Sequence, residues 1–275
     1  MERIKEALDR AREERDERYF APPADGPLDV AQRDARPAPA EAPIAYTQTR
    51  VLPVSPAYLR RRRVVAGPED PVANHYSAMR THAMQRMRAN NWRSLVVTSP
   101  NEGAGKTLTA VNLAISMARN TNHSVLLVDL DLRRPAVLRH FTPERLPGLS
   151  DYILEDRTLP ELLVNPGIER LVILPGHRPV IHSAEMLSST KVVGLVEDIR
   201  NRYSARLVIF DMPPILACDD VLAFSPYFDA ALIVIGEGDT RRGDLERSLE
   251  VLKDKPLLGT VLNRSDERTT GYGYY

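Results

Sequence analysis

Apolar and polar residues recur along the second two-thirds of the chain in a pattern that predicts strands and helices in turn. Six short runs are almost continuously apolar, which is typical of strands buried on both faces of a sheet. They cover residues 95–98, 124–130, 171–174, 207–211, 230–235 and 258–263. Stretches with helical spacing cover residues 70–90, 106–119, 184–203 and 240–253. This order predicts an α/β fold with a doubly wound, mostly parallel sheet, whose ligand lies at the carboxyl ends of the strands.

The pattern differs before residue 66. Residues 1–18 carry a narrow apolar stripe in a strongly charged segment. They predict a short amphipathic helix that docks on a partner or a membrane surface, or a frayed charged helix with neither role. Residues 19–65 are rich in proline and predict a disordered linker, in which four consecutive arginines at 60–63 are interpreted as solvated charge. The folded domain is expected over residues 66–264 and a flexible tail over 265–275.

Composition narrows the classes of function. Lysine and arginine together number 37, as do aspartate and glutamate, so net charge gives no reason to expect nucleic acid as a partner. The single cysteine, Cys218, excludes an internal disulfide and a cysteine-based zinc cluster, and fits a cytoplasmic location. The sequence shows no signal peptide and no apolar stretch long enough to span a bilayer. Any membrane role is therefore expected to come from a partner.

A candidate phosphate-binding loop lies directly after the first apolar run and directly before a helical pattern. Residues 99–107 read SPNEGAGKT. Gly103 and Gly105 allow backbone angles at which successive N–H groups converge on phosphate oxygens at the start of a helix. Lys106 is then expected to reach the β- and γ-phosphates of ATP, and Thr107 to bind Mg²⁺. A proline replaces the first glycine of the general pattern, so the motif is a deviant P-loop.

Three carboxylates stand at the carboxyl ends of predicted strands, as the P-loop does. Asp129 and Asp131 close the run VLLVDLDLRRP, and Asp211 closes LVIFDMPP. Because side chains two apart in a strand share a face, Asp129 and Asp131 can both face the nucleotide. Mg²⁺ prefers such hard oxygen ligands, and one carboxylate could take the proton from an attacking hydroxyl. The alternative for each aspartate alone is a cap on the following helix.

The last residues of the sequence suggest what that hydroxyl is. Tyr272, Tyr274 and Tyr275 lie on a glycine-spaced segment soon after the final predicted strand. Tyrosines usually occupy cores or interfaces, and a free tail offers neither. Considered alone, the tail is a disordered end of biased composition or an aromatic docking peptide. Beside an ATP site with carboxylates, the three tyrosines are interpreted as phosphoacceptors.

In these residues the chain resembles the bacterial tyrosine kinases, which use a P-loop fold and phosphorylate a C-terminal tyrosine cluster. Three motifs carry the resemblance: NEGAGKT as a deviant Walker A, VLLVDLDLRRP as Walker A′ and LVIFDMPP as Walker B. The resemblance extends over residues 66–275. It is greatest for the form without its own membrane domain, which includes members that begin with a charged helix and a proline-rich linker and operate in exopolysaccharide export.

The resemblance implies roles for individual residues. Lys106, Asp129 and Asp131 would be catalytic, with Asp129 as the base for the incoming tyrosine. Mg²⁺ would be held by Thr107, Asp131 and Asp211. Asn263 would lie near the adenine. The full set expected to contact ATP is Glu102, Gly103, Ala104, Gly105, Lys106, Thr107, Leu108 and Asn263.

The sequence departs from related families at two places. Partitioning and division-site ATPases, which share the fold, carry an additional lysine in the loop where this chain has Asn101. Their nucleotide-sandwich dimer depends on that lysine and is therefore not expected. Many bacterial tyrosine kinases carry a Glu-x-x-Arg-x-x-Arg motif on the first helix that assembles a ring. Asn74, Ser77 and Arg80 stand at those positions, so only one of the three residues is retained.

The sequence thus predicts a cytoplasmic, ATP-dependent protein-tyrosine autokinase that modifies its own C-terminal tyrosines in trans and regulates exopolysaccharide synthesis or export. A membrane-embedded chain-length or co-polymerase partner is expected to activate it and to recruit it to the inner face of the membrane. Two alternatives remain open. One is a partitioning or positioning ATPase, and the other is a nucleotide-binding scaffold without catalysis.

Overall fold

The computed structural model describes residues 49–120, 123–202 and 206–265, and these contain one eight-stranded sheet. The strands follow the order β1-β4-β5-β3-β6-β2-β7-β8 across it, and every neighbouring pair is parallel except β4 with β5. Their bounds are β1 Arg50–Val51, β2 Ser94–Thr98, β3 Ser124–Asp129, β4 Val164–Asn165, β5 Leu171–Leu174, β6 Arg206–Asp211, β7 Ala230–Gly236 and β8 Leu257–Asn263. Strands β3, β6 and β2 are central, so the loops after them share one edge of the sheet.

Helices cover both faces of this sheet. In the described residues they are α1 Pro56–Arg61, α2 Ala73–Ala89, α3 Lys106–Asn120, α4 Leu149–Glu155, α5 Leu159–Leu162, α6 Ser183–Leu187, α7 Thr190–Arg202, α8 Asp220–Ala223 and α9 Arg242–Val251. Two short 3₁₀ turns, Leu138–His140 and Ser225–Tyr227, complete them. Among the described residues no helix combines the length and apolarity needed to cross a membrane.

Two large hydrophobic clusters form most of the core, one on each face of the sheet, and a small third cluster contains Leu52, Leu138, Leu146 and Val164. The first joins alternate residues of the central strands to α3 and to the inner side of α2. The second joins the intervening residues to α6, α7 and α8. This division explains why the strands are continuously apolar: both sets of alternate side chains are buried. The methionines Met84 and Met87 of α2 are also buried.

The fold class is confirmed, and so are all six strands expected from the apolar runs, each to within one residue at either end. The sequence pattern missed β1 and β4. Each has only two residues, and both lie at one margin of the sheet. So short a run has no periodicity to detect, and it depends on its pairing with neighbours rather than on its own propensity.

One expected helix is wrong in its extent. The stretch 184–203 was predicted as a single helix, but the structure has α6 and α7 with a break at Ser188 and Ser189. The Ser188 hydroxyl donates to the carbonyl of Ala184 at 3.0 Å, and the Ser189 hydroxyl donates to that of Met186 at 2.6 Å. Serine side chains compete with the helix for backbone groups in this way, which favours a helix boundary.

The expected start of the folded domain at residue 66 is too late. Strand β1 pairs with β4, and helix α1 places Leu59 in the same cluster as the central strands. Val64 is fully buried just beyond the helix. Proline content suggested a linker here, but Pro56 stands at the first position of α1, where proline is compatible with a helix. The four arginines at 60–63 are exposed as expected, although on a folded element.

The other segment predictions lie outside the described residues. These are the helix over 1–18, the linker as far as residue 48, and the tail from residue 266, including its three tyrosines.

Replacing Leu59 with alanine tests whether α1 belongs to the folded domain. Leu59 is 5% exposed, and a leucine-to-alanine change at such a site costs about 2–4 kcal/mol in the free energy of unfolding. The exposed neighbour Arg60 supplies the control, since Arg60→Ala should change stability by no more than about 0.5 kcal/mol. Urea unfolding of the full chain measures both. Equal stability of the two variants would contradict the packing of α1.

Candidate active site

The P-loop lies between β2 and α3, as the sequence predicts. Gly103 and Gly105 both have positive φ angles, +85° and +90°, which side chains with a Cβ rarely adopt. A Cβ on Gly105 would also collide with the side-chain nitrogen of Asn263. Glycine is therefore required at residue 105 twice over, by its backbone angle and by the close approach of β8.

Lys106 and Thr107 begin α3 and reach across to two of the three predicted aspartates. The Lys106 ammonium lies 2.7 Å from Asp131 Oδ2 and 3.8 Å from Asp211 Oδ1. The Thr107 hydroxyl donates to Asp211 Oδ2 at 2.7 Å. The structure thus brings the ends of β3 and β6 against the first turn of the helix that follows the P-loop.

Asp129 lies beside these groups but has different partners. It is the register partner of Asp211 in the β3–β6 pair and is 1% exposed. Its Oδ2 accepts the backbone N–H groups of Ala136 and Val137, both at 2.9 Å. Its Oδ1 is buried and has no hydrogen-bond partner in the described part of the chain. One oxygen thus fixes the loop after β3, and the other is left for a further group.

Among the described residues, none of the three aspartates caps a following helix, but Asp129 and Asp131 bind backbone N–H groups of the loop after β3. Asp131 Oδ1 accepts the backbone N–H of Arg134 at 3.0 Å while its other oxygen faces Lys106. Asp129 likewise binds backbone groups of the loop after β3. Each side chain holds its own loop through one oxygen and points the other into the site.

Charge is unevenly distributed in this cluster. Burial raises the pKa of Asp129 above its ordinary value, and the neighbouring Asp211 raises it further. Burial also raises the pKa of Asp211, although Lys106 and the Thr107 hydroxyl oppose this. For Lys106, burial alone would lower the pKa, but Asp211 and Asp131 outweigh burial and raise it. Three carboxylates share one ammonium, so the site favours an additional cation.

The donor set fits Mg²⁺ bound together with a nucleotide. Asp211 Oδ1 is buried without a hydrogen-bond partner among the described residues, and Thr107 supplies a neutral oxygen beside it. No group of three or more His, Cys, Asp or Glu side chains in the described ranges could hold a metal ion alone. This agrees with Mg²⁺ chemistry, in which one or two carboxylates act with waters and substrate phosphates rather than as a closed protein cage.

Two cavities meet at the loop after β3. The larger, of about 560 Å³, borders the P-loop residues Gly103, Lys106 and Thr107 and also Asp131. The smaller, of about 150 Å³, has Asp129 in its wall. Ala136 borders both. The first is in the size range of small-molecule sites, whereas the second is about the size of a protein cavity that accommodates one benzene ring.

The other residues predicted to contact the nucleotide lie around the P-loop. Asn263, at the end of β8, donates its side-chain N–H to the carbonyl of Ala104 at 2.8 Å. Glu102 is exposed and pairs with Arg134, and Leu108 is partly buried in the core. These positions agree with a role for Asn263 at the margin of the P-loop, while its contact with adenine stays a prediction. The tyrosines Tyr272, Tyr274 and Tyr275 lie outside the described residues.

Sequence reasoning missed several residues that shape the site. Asn101 was noted only for the lysine it replaces, yet its side chain donates to Asp244 of α9 at 2.7 Å and ties the P-loop to that helix. Gly176 follows the end of β5, and a Cβ there would lie 2.6 Å from Pro135 Cβ and 3.2 Å from the Asp129 carboxyl carbon, so glycine leaves room for both side chains. Its place after a parallel strand was the signal that could have identified it.

Comparison with known proteins agrees with this geometry. Residues 95–272 match the CobQ/CobB/MinD/ParA nucleotide binding domain family. Tyrosine-protein kinase YwqD of Bacillus subtilis is 32% identical over 221 residues, which cover 78% of this chain and 92% of YwqD. Tyrosine-protein kinase CpsD of Streptococcus pneumoniae is 29% identical over 72% of this chain and 87% of CpsD. EpsB of Ralstonia nicotianae is 30% identical but much longer, and the chain spans 28% of its length.

Solved structures give the same result. The kinase domain of the Escherichia coli tyrosine kinase ETK is 26% identical, with a TM-score of 0.67 over 76% of this chain and 82% of that domain. The cell division ATPase MinD of Pyrococcus furiosus shares the fold, with 22% identity and a TM-score of 0.52 over 63% of this chain and 74% of MinD. The chain therefore belongs to the CobQ/CobB/MinD/ParA nucleotide-binding family and to the bacterial tyrosine-protein kinases.

Proposed function

We propose that this chain is an ATP-dependent protein-tyrosine autokinase that phosphorylates Tyr272, Tyr274 and Tyr275 of a second copy. The observation that carries the proposal is that the loop after β3 borders two cavities, with Asp129 in the wall of the smaller one. On one side lies the P-loop groove with Lys106 and Asp131, and on the other lies a cavity of the size of one aromatic ring. A phosphate donor in the groove and a phenol acceptor beside Asp129 would then lie on either side of this loop.

The reaction is an in-line transfer of the γ-phosphoryl group. The phenol oxygen forms a bond to the γ-phosphorus as the bond from that phosphorus to the bridging oxygen of ADP breaks, and the phenol proton passes to Asp129 Oδ1. Lys106 neutralises charge that develops on the phosphate oxygens, while the P-loop N–H groups orient the triphosphate. Mg²⁺ held by Thr107, Asp131 and Asp211 supplies further charge neutralisation on the phosphates when bound.

Backbone contacts favour Asp129 rather than Asp131 as the base. Both oxygens of Asp131 already have partners, since one lies 2.7 Å from the Lys106 ammonium and the other accepts the backbone N–H of Arg134. Asp129 has a raised pKa and a free oxygen, and a base is most effective when its pKa lies near the working pH. Its Oδ2 is fixed by two N–H groups, so Oδ1 is held in one position.

Transfer between transiently associated copies fits the surface of α2. Arg80 is the one retained residue of the ring-forming motif, and its guanidinium donates to the backbone and hydroxyl oxygens of Ser116 on α3 of the same chain, at 3.5 and 3.3 Å. A side chain used within its own fold is less available to a neighbour. We therefore infer that two copies contact each other in trans without forming the family's ring. We further propose that a membrane-embedded polysaccharide chain-length partner activates the chain and recruits it to the membrane.

The partitioning ATPases are the second candidate, and one contact weighs against them. Asn101 occupies the position of their additional lysine, and its side chain is hydrogen-bonded to Asp244 of the same chain. This position therefore supplies no lysine that could contact a nucleotide bound to a second copy. Steady release of phosphate without tail modification would favour that class. A scaffold without catalysis would bind ATP, show no turnover, and keep its partner when Lys106 is replaced by methionine.

Phosphorylation of the tail is the direct test. The full chain incubated with ATP and Mg²⁺ should gain phosphate on Tyr272, Tyr274 and Tyr275, as read by mass spectrometry. A Lys106→Met chain should gain none alone, because the charge that stabilises the transferring phosphoryl is lost. Mixed with active chain of a different mass, the same variant should become phosphorylated, which establishes transfer in trans. Absence of phosphate from all three tyrosines at concentrations that allow contact between chains would contradict the proposal.

Asp129→Asn separates nucleotide binding from transfer. The variant should bind ATP with unchanged affinity and lose transfer, because an amide cannot accept the phenol proton. It should also stabilise the metal-free, nucleotide-free chain by about 1–2 kcal/mol, or about 2–8 °C in melting temperature, since a buried carboxylate beside two others is replaced by a neutral group. The exposed Asp254→Asn serves as the control and should change neither property. Loss of ATP binding by Asp129→Asn would show that Asp129 is not the base.

A further inference from the structure

The rim of the cavity beside Asp129 carries unbalanced positive charge. Arg139 and Arg145 border the cavity, are exposed, and have no carboxylate partner among the described residues. The acidic residue on the same rim, Glu144, is paired with Arg50 at 3.3 Å. A third arginine that lines the cavity, Arg178, is paired with Asp151 and Glu155. The two unpaired guanidiniums therefore set the charge that an incoming segment meets.

The backbone near both arginines is anchored to the folded domain. Arg139 lies in a 3₁₀ turn, and its carbonyl accepts the Tyr58 hydroxyl at 3.0 Å and the Arg62 Nε–H at 2.9 Å. Arg145 is followed by the buried Leu146. Arg145 itself lies in an irregular segment that is anchored through Leu146 in a small core cluster. Long side chains on fixed backbone can recognise an anion at a defined place, and arginine does so for phosphate through two parallel hydrogen bonds.

The floor of the cavity supplies an independent sign that it takes a ligand. Asp129 is 1% exposed, and its Oδ1 has no partner among the described residues. A buried polar atom left unpaired carries an energetic cost unless something binds it. The cavity thus pairs a hydrogen-bond acceptor at the base with free cations at the mouth. A tyrosine side chain that donates to Asp129, on a peptide bearing negative charge nearby, matches both.

The spacing of the acceptor tyrosines connects these two features. Tyr272 and Tyr274 are two residues apart, which is about 7 Å along an extended peptide, and Tyr275 is adjacent. When one of them enters the cavity, a phosphate already carried by another would lie near the mouth. Each phosphotyrosine brings a charge of about −1.5 to −2 at neutral pH. The product of one transfer is therefore a better match to the arginine rim than the unmodified tail.

We propose that Arg139 and Arg145 bind phosphotyrosine already present on the acceptor tail of a second copy, so that the first phosphorylation favours the next on the same chain. This inference rests on the proposed function, since it takes the cavity as the acceptor site. The chemistry of each transfer is unchanged. The arginines are positioning residues that act on where the tail is held. With them, a tail that carries one phosphate is phosphorylated again more readily than an unmodified tail.

Peptide binding tests the rim without requiring turnover. The probes are two peptides with the sequence of residues 265–275, one unmodified and one phosphorylated at Tyr272, titrated into the full-length Lys106→Met chain. The phosphorylated peptide should bind about tenfold more tightly, as expected for new charge-assisted hydrogen bonds. Adding Arg139→Gln and Arg145→Gln should abolish that preference. Adding Arg88→Gln and Arg93→Gln, two exposed arginines away from the cavity, should leave it intact. Equal affinity for both peptides in the parent chain would overturn the proposal.

A time course of intact masses tests the consequence in the active chain. With ATP and Mg²⁺, the wild type should show fewer singly phosphorylated chains than independent modification of three sites would give. The Arg139→Gln/Arg145→Gln variant should accumulate that singly phosphorylated form, and the Arg88→Gln/Arg93→Gln control should behave as wild type. An unchanged distribution in the first variant overturns the role of the rim. Absence of phosphate altogether counts against the kinase assignment, and the peptide titration still decides the rim separately.

Vesicles distinguish a membrane surface from a phosphorylated tail. Vesicles of anionic phospholipid should bind the wild type and the Arg139→Gln/Arg145→Gln variant equally if the rim serves the tail. Loss of vesicle binding in that variant, together with equal affinity for the two peptides, would assign these arginines to an anionic membrane and contradict the proposal.

Discussion

One lysine faces three aspartates at the carboxyl edge of the sheet, and this imbalance of charge governs the site. Lys106 is held between Asp131 and Asp211, while Asp129 is buried nearby and one of its oxygens has no hydrogen-bond partner among the described residues. Charge of this kind is costly in a protein interior unless a further cation binds. A magnesium nucleotide brings such a cation together with phosphates that the P-loop is shaped to receive. The cluster therefore destabilises the ligand-free fold, and binding of the magnesium nucleotide neutralises its excess charge.

The parallel sheet is what makes the cluster possible. Strands β3, β6 and β2 are neighbours, and all three end at the same edge, so residues far apart in sequence arrive within hydrogen-bond distance. Burial on both faces fixes their register, and the pairing of Asp129 with Asp211 follows from that register. The loop after β3 then divides the space in two. One side faces the P-loop, and the other side opens beside Asp129 toward the arginine rim.

Much of this could be predicted from the sequence, because its signals are local. Continuous apolar runs mark buried strands, and the glycines, lysine and aspartates stand where strands end. Other features depend on tertiary contacts that leave no local signal. Strand β1 and helix α1 look like a proline-rich linker until Leu59 and Val64 are seen in the core. The helix break at Ser188 and Ser189 depends on which backbone carbonyls their hydroxyls find. That Arg139 and Arg145 have no carboxylate partner in the described part of the chain could not be predicted from a sequence whose charges balance overall.

The aspartate cluster is central to the site, and its excess of negative charge suits a nucleotide bound with Mg²⁺. Calorimetric titration of the full chain with ADP, once with Mg²⁺ and once with a chelator, measures this directly. We predict tight binding with Mg²⁺ and much weaker binding without it, because the phosphates alone would add negative charge to a site that already has an excess. Equal affinity under both conditions would contradict the account, since the carboxylates would then have no cation to hold.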